Sequence, residues 1–210
     1  QARFRLPAEA VRDCTLLVSG LLVDTLGGPS VKPPQPSLYY RHLNFPKREY
    51  SRDTGSDQWR RGVDMHWQRQ FLHPMLLAFD APTRENCTAQ RSESNTPSAA
   101  LVLLNDPTFV EAARVFAQAL IMAEFENERD AIAHAMRKAT SRNPTQEEID
   151  VLENLLHTSR MEFETEKNAA EMHLAIGSTM IPEDIDLVEL ASWSQLTRAI
   201  LNLHETINRE

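Results

Sequence analysis

Apolar residues recur at helical spacing through most of the second half of the chain. A capping residue followed by proline, or a threonine or aspartate followed three positions later by glutamate, is typical of a helix start. Such starts occur at Asn95-Thr96-Pro97, Asp106-Pro107, Thr145-x-x-Glu148 and Asp186-x-x-Glu189. The pattern predicts an antiparallel helical array, with one helix near Glu128–Thr140. After Thr145 the array has either one long helix or a break into another around Ala169–Ile176, ended by Gly177.

The first half of the chain has a weaker and more interrupted pattern. Apolar positions predict a helix from Pro7 that puts Cys14 on its apolar face and stops at Gly27-Gly28-Pro29. A second helix is predicted over about Asp57–Phe71, and Met75 to Phe79 is interpreted as a short apolar turn. Five prolines between residues 29 and 56, and the loss of periodicity between 80 and 96, predict irregular but ordered segments.

Together these elements predict an all-α fold with a long irregular, proline-rich N-terminal half. We expect residues 1–210 to form a single domain, with an irregular and helical lobe over 1–96 and a helical array over 97–210. A length of 210 residues suits one domain, or one domain with a small lobe. A central sheet would contradict this prediction.

Charge is distributed unevenly along the chain. Residues 1–91 hold 13 Lys and Arg against 9 Asp and Glu, which is +4, and the rest of the chain carries −12, for a total of −8. The acidic total argues against general nucleic-acid binding. The basic first half could dock on an acidic partner, or the acidic helices could simply present a solvated face. The apolar runs are far shorter than 18 residues, so no membrane insertion is expected.

The segment from Phe79 to Asp106 is the densest in polar side chains that could do more than pack. Asp80, Arg84, Arg91 and Asn95 could converge on a ligand, since arginine is suited to carboxylate or phosphate recognition. They could equally satisfy the backbone of a long loop. In that structural case, Arg84→Ala should cost roughly 1–3 kcal/mol by depriving buried carbonyls of a donor.

Known catalytic and metal motifs are missing from the sequence. The seven histidines show no HxxxH or HExxH spacing, and there is no CxxCH haem-attachment signature, so no metal or catalytic residue and no cofactor is predicted for this chain. Cys14 and Cys87 are predicted to be unbridged, with Cys87 a packed thiol rather than a nucleophile.

Several motifs resemble the domain of unknown function found at the C-terminus of planctomycete-type cytochrome c proteins. They are SGLL, GGPSVKPPQP, FDAPTRENC, NTPSAALVLLNDPTFVEAAR and the ending LNLHETINRE, in family order across nearly the whole chain. The resemblance implies an extracytoplasmic, multidomain protein whose haem lies only in upstream domains, and it supplies no catalytic residue. Where the family often has two adjacent arginines, this chain has Gln90-Arg91.

Two function hypotheses follow. The first is a non-catalytic interaction or scaffold module whose partners are the upstream domains of the same protein. The second is a ligand-binding or catalytic domain, with glycans as one candidate ligand class, whose site is in the 80–95 loop and whose small-molecule ligand is unknown. For the first, we predict a docking face in which at least two of four aromatic rings are exposed: Tyr39, Tyr40, Phe45 and Tyr50, edged by Arg60 and Arg61. The rival account is that these rings complete the domain's own core.

Overall fold

The computed structural model describes residues 4–40 and 49–209. Over these residues the predicted all-α class is confirmed, because the only strands are the two-residue β1 (Phe4–Arg5) and β2 (Asn208–Arg209), which pair antiparallel. The α-helices are α1 (Ala8–Ser19), α2 (Pro74–Ala78), α3 (Pro97–Asn105), α4 (Pro107–Met122), α5 (Glu128–Thr140), α6 (Gln146–Thr165), α7 (Lys167–Leu174), α8 (Leu187–Leu201) and α9 (His204–Ile207).

The first helix is shorter than predicted. It ends at Ser19 because Gly20 adopts the left-handed conformation, with φ of +84°, and the Leu21 N–H donates to the Leu16 carbonyl. The prediction that it continues to Gly27-Gly28-Pro29 was therefore wrong. Cys14 was also misplaced, since its side chain is exposed rather than packed on the apolar face.

The helix predicted over about Asp57–Phe71 is also wrong. This segment instead forms two short 3₁₀ helices, Gly55–Trp59 and Gly62–Asp64, and makes isolated bridges with the chain around residues 23 and 31. The reason is a close approach to α1: a β-carbon at Gly62 would lie 2.8 Å from the Glu9 carbonyl oxygen. Val63, which a helix over this range would place on the same face as Trp59 and Trp67, is 66% exposed. The predicted turn at Met75–Phe79 is largely the short helix α2.

The helix starts of the second half are confirmed. The side chains of Thr96, Asp106, Thr145 and Asp186 each accept a hydrogen bond from a backbone N–H in the first turn of the helix that follows. Each such cap contributes about 1 kcal/mol. The chain does break after α6, at Glu166, before α7 begins.

Two large hydrophobic clusters hold the fold together. The first lies among α4, α5, α6, α7 and α8, around the fully buried Phe116, Leu156 and Leu196. The second joins α1, α2 and α3 and includes both Leu76 and Leu103. Because α3 packs on the first-half helices, apolar contacts cross the predicted lobe boundary at residue 96.

Within the described parts of the chain, no helix combines the length and the apolar character needed to cross a bilayer.

Candidate functional site

Asp80 ties the polar loop to the start of the chain. It follows α2 with φ of +55°, a conformation that non-glycine residues rarely adopt. Its Oδ2 accepts hydrogen bonds from Arg5 Nη2 at 2.7 Å, the Ser94 N–H at 2.8 Å and Ser94 Oγ at 2.7 Å. Partial burial favours the protonated carboxyl, but the hydrogen bonds from Ser94 and the Arg5 charge outweigh it and lower the Asp80 pKa. Asp80 thus closes the loop onto β1.

Arg84 also has a positive φ, of +63°, and its guanidinium lies 3.9 Å from the centroid of the Trp67 ring. The indole N–H of Trp67 donates to the Pro82 carbonyl at 3.1 Å, so ring and loop are fixed to each other. The contact is a cation–π interaction on an exposed part of the loop.

The other two predicted residues bind different helices. Arg91 Nη1 lies 2.8 Å from Glu9 Oε2 in the first turn of α1. Asn95 Nδ2 lies 3.2 Å from His204 Nε2 in α9. Arg91 also borders an open depression of about 860 Å³ that is lined by Phe4, Pro7 and residues 90–93.

The four residues therefore do not converge on one point. Asp80 and Arg91 are ion-paired within the chain, Arg84 stacks on a ring, and Asn95 contacts a histidine. Each contact joins the 80–95 loop to a different part of the fold.

Three of the predicted docking aromatics form a cluster with Phe71. The Tyr40 ring centroid lies 6.0 Å from that of Tyr39, 5.4 Å from that of Tyr50 and 6.1 Å from that of Phe71. The phenol of Tyr39 donates to the Leu72 carbonyl at 2.9 Å, and that of Tyr50 donates to the Pro33 carbonyl at 2.6 Å. All three tyrosines are half-buried, so the prediction that at least two of the four rings are exposed is wrong. Phe45 lies outside the described residues.

The two arginines assigned to the edge of this face differ from each other. Arg60 is buried, donates to the carbonyls of Pro29 and Gly27, and lies 3.4 Å from Asp64, so its placement at an exposed edge was wrong. Arg61 is partly exposed and pairs with Asp24 at 3.1 Å. Arg60 therefore holds the Gly27–Pro29 turn in place.

Helix α1 carries a fully buried arginine that no sequence pattern indicated. Arg12 is completely buried and donates to the carbonyls of Arg60 at 2.6 Å and Gln58 at 2.5 Å. Burial lowers the pKa of Arg12 to about 10, so its guanidinium remains charged at neutral pH. It satisfies carbonyls of the segment that failed to form the predicted helix.

A second unpredicted polar contact fastens α4 to the turn after α7. Glu111, buried within α4, accepts hydrogen bonds on Oε1 from the N–H groups of Ser178 and Thr179, at 2.7 and 2.5 Å. Arg114 Nη2 donates to the Thr179 carbonyl at 2.8 Å. Two charged residues three positions apart in an otherwise uncharged helix were the only sequence signal for this contact.

Asp106 and His73 interact electrostatically at the start of α4. Burial raises the pKa of Asp106, which caps that helix, and burial lowers the pKa of His73. His73 Nδ1 accepts from the Met75 N–H, so Nε2 carries the proton and donates to the Pro34 carbonyl at 2.9 Å. Both ring nitrogens of His73 are therefore hydrogen-bonded to the backbone of its own chain.

The thiols and the potential metal ligands are dispersed. Cys14 and Cys87 are both free and exposed, which contradicts the prediction that Cys87 is packed. Among residues 4–40 and 49–209, no group of three or more His, Cys, Asp or Glu is arranged to hold a metal ion.

Comparison with known proteins identifies one family. A model of the family PSD1, described as a protein of unknown function (DUF1553), matches residues 1–156. No curated protein and no solved structure matches the chain. Because the family match spans well over half of the 210 residues, this chain belongs to the PSD1 (DUF1553) family.

Proposed function

We propose that the chain is a non-catalytic interaction or scaffold module, the C-terminal part of a larger extracytoplasmic protein associated with cytochrome c. The observation that carries this proposal is the divergence of Asp80, Arg84, Arg91 and Asn95, each of which binds a different part of its own chain. The resemblance of the FDAPTRENC and NTPSAALVLLNDPTF motifs supports the cytochrome association and the extracytoplasmic location.

A catalytic or ligand site needs polar groups that face one reacting or binding point. Here the Arg91 charge is compensated by Glu9, and the Asp80 charge by Arg5. A substrate would have to displace these partners before it could use either group. The residues are better suited to holding an irregular loop on a helical body, which gives the domain a fixed surface.

The surface proposed for docking consists of Tyr39, Tyr40, Tyr50 and Phe71, and the proposal keeps the partly exposed Arg61 at its edge. Aromatic residues and arginine are enriched at the centres of protein interfaces. The rings already contact one another edge to face, so little side-chain entropy remains to be lost when a partner binds. The partner in this proposal is the haem-bearing upstream part of the same protein, and the chain itself carries no haem.

Hydrogen–deuterium exchange tests this proposal. The chain is measured alone and mixed with a separately produced upstream segment of the native protein. We expect slower amide exchange at residues 39–40 and 68–72 in the mixture and unchanged exchange in the middle of α6. Tyr40→Ala should abolish the protection. Equal exchange with and without the upstream segment would contradict docking at this face.

The depression beside Arg91 favours one alternative, a ligand-binding domain with a glycan or anionic ligand held in the 80–95 loop. A thermal-shift screen of sugars and small anions separates the two proposals. A ligand at 100 times its dissociation constant stabilises the folded state by about 2.7 kcal/mol. Stabilisation that Arg91→Gln removes would establish the alternative, whereas a flat screen supports the interaction module.

A further inference from the structure

The end of α6 and the start of α7 form a groove on the acidic half of the chain. Its volume is about 590 Å³, and its lining is more apolar than polar. The lining residues are Thr158, Met161, Glu162, Phe163, Thr165, Glu166 and Ala169. Thr158, Met161, Glu162 and Thr165 are spaced three and four residues apart, so they form one face of α6.

Exposed methionines give this groove an adaptable apolar surface. Met161 in the lining is 57% exposed, and Phe163, where the lining meets the hydrophobic core, is 7% exposed. Met172 is 67% exposed and follows Ala169 by three residues, so it extends the same face along α7. Flexible methionine side chains can repack against partners of different shape, and they are common on surfaces that bind amphipathic helices.

The charge around the groove is negative. The segment from 161 to 174 contains four glutamates, Glu162, Glu164, Glu166 and Glu171, against one lysine. His173, whose ring lies 5.9 Å from that of Phe163, adds no positive charge at neutral pH, because burial and the nearby Arg198 and Arg114 lower its pKa to about 4.

Carboxylates nearer the start of α6 are neutralised by ion pairs with arginines. Asp150 and Glu153 pair with Arg129, and Glu148 pairs with Arg142. Near the end of the helix, Arg160 is held by Glu189 and Glu128 rather than by the groove. The ion pairs therefore leave the negative field of α6 concentrated at its C-terminal end, beside the exposed methionines.

We propose that this groove binds a basic amphipathic helical segment of a partner protein. The apolar side of the segment would lie on Met161, Phe163 and Met172, and its Lys or Arg residues would face Glu162 and Glu166. Thr158 to Thr165 spans about 10 Å of α6, which matches roughly two turns of a docked helix. Such a small interface gives weak, salt-sensitive binding. The groove is formed by α6 and α7, which are not part of the aromatic face, so this inference is independent of the proposed function.

Fluorescence anisotropy with labelled model peptides tests the inference. The probe is a two-to-four-turn amphipathic helix with Leu on one side and Lys on the other, and the reference is the same peptide with Glu in place of Lys. We expect the Lys peptide to bind and the Glu peptide not to bind. The double variants Met161→Ala/Met172→Ala and Glu162→Gln/Glu166→Gln should each weaken binding about tenfold, equivalent to about 1.4 kcal/mol.

Matched control variants test whether the loss of peptide affinity is specific to the groove. Met122→Ala changes a methionine that is 59% exposed at the end of α4, and Glu183→Gln changes an exposed glutamate in the loop before α8. Neither should alter the affinity, and circular dichroism should show that every variant folds. Absence of Lys-peptide binding, or equal losses in groove and control variants, would overturn the inference.

Discussion

The buried side chain of Glu111 fills the space that a β-carbon at Gly177 would need. Gly177 also has φ of +111°, which disfavours any other residue. The absence of a side chain at this position lets the turn after α7 come close enough for Ser178 and Thr179 to donate their N–H groups to the carboxylate. One glycine and one glutamate thus set the distance between α4 and the α7–α8 connection.

Gly177→Ala should destabilise the fold by about 1–3 kcal/mol, because it adds backbone strain and displaces the Glu111 carboxylate. Urea denaturation measures the loss. Gly20→Ala is the matched control: Gly20 also has positive φ, but a β-carbon there would have no atom within 4 Å, so only the strain remains. A loss at Gly177 no larger than at Gly20 would contradict the close contact with Glu111.

Arg84→Ala should destabilise the chain by only about 0.5–1 kcal/mol, the value of an exposed cation–π contact. This is less than the loss of roughly 1–3 kcal/mol expected of an arginine that serves buried carbonyls, because the guanidinium stacks on Trp67 instead. Denaturation followed by tryptophan fluorescence gives the value. Arg52→Ala, at another exposed arginine, should change stability less, and a loss above about 2 kcal/mol at Arg84 would show that it does more than stack.

Asp106→Ala should cost about 0.5–2 kcal/mol, because α4 loses its N-cap. Asp106→Asn keeps an acceptor for the Thr108 N–H and removes a partly buried charge, so at neutral pH it should be at least as stable as the wild type. Urea denaturation of the two variants beside the wild type measures both effects.

The pH dependence tests the charge of Asp106. Burial raises its folded-state pKa, whereas in the unfolded chain the carboxyl titrates near pH ~4. The stability that the Asp106 carboxyl contributes to the fold is fully present below its unfolded-state pKa and is lost as pH rises through its folded-state pKa. Wild-type stability should therefore fall relative to Asp106→Asn as pH rises above about 4, and parallel profiles of the two proteins would contradict this account.

Glu148 should have the opposite pH dependence. Hydrogen bonds from Arg142 and from the Thr145 N–H lower its pKa to about 2. The stability that Glu148 contributes is present above its unfolded pKa, near ~4, and is lost as pH falls towards the folded value. Unfolding free energies measured from neutral to strongly acidic pH should show a steeper acid loss for the wild type than for Glu148→Gln. Glu147→Gln, at the neighbouring exposed glutamate, should retain the wild-type slope.

The helices of the second half could be predicted because their start signals are local. Thr96, Asp106 and Thr145 each cap a helix that begins at the next residue. A side chain that accepts from an N–H two or three positions away leaves a short, recognisable pattern in the sequence. The predicted bounds of α5 agree with the structure because its polar and apolar positions alternate with a clear helical period.

The structure of the first half depends on contacts between residues far apart in the sequence, which no local pattern indicates. Trp59 and Trp67 occur at helical spacing, yet Gly62 between them contacts α1 closely and Arg12 binds the carbonyls of the segment. The contacts of the candidate site were missed for the same reason. The partners of Asp80 and Arg91 are Arg5 and Glu9, which lie 75 and 82 residues away in the sequence.

The pairing of β1 with β2 has a mechanical consequence. Phe4 faces Arg209, and Arg5 faces Asn208, so the outermost residue of each strand lies opposite the outermost residue of the other. A force that pulls the two strands apart from these ends would load their hydrogen bonds one after another rather than all at once. The pair would therefore unzip at low tension, and the load would then pass to the Arg5–Asp80 ion pair and to the helices behind it.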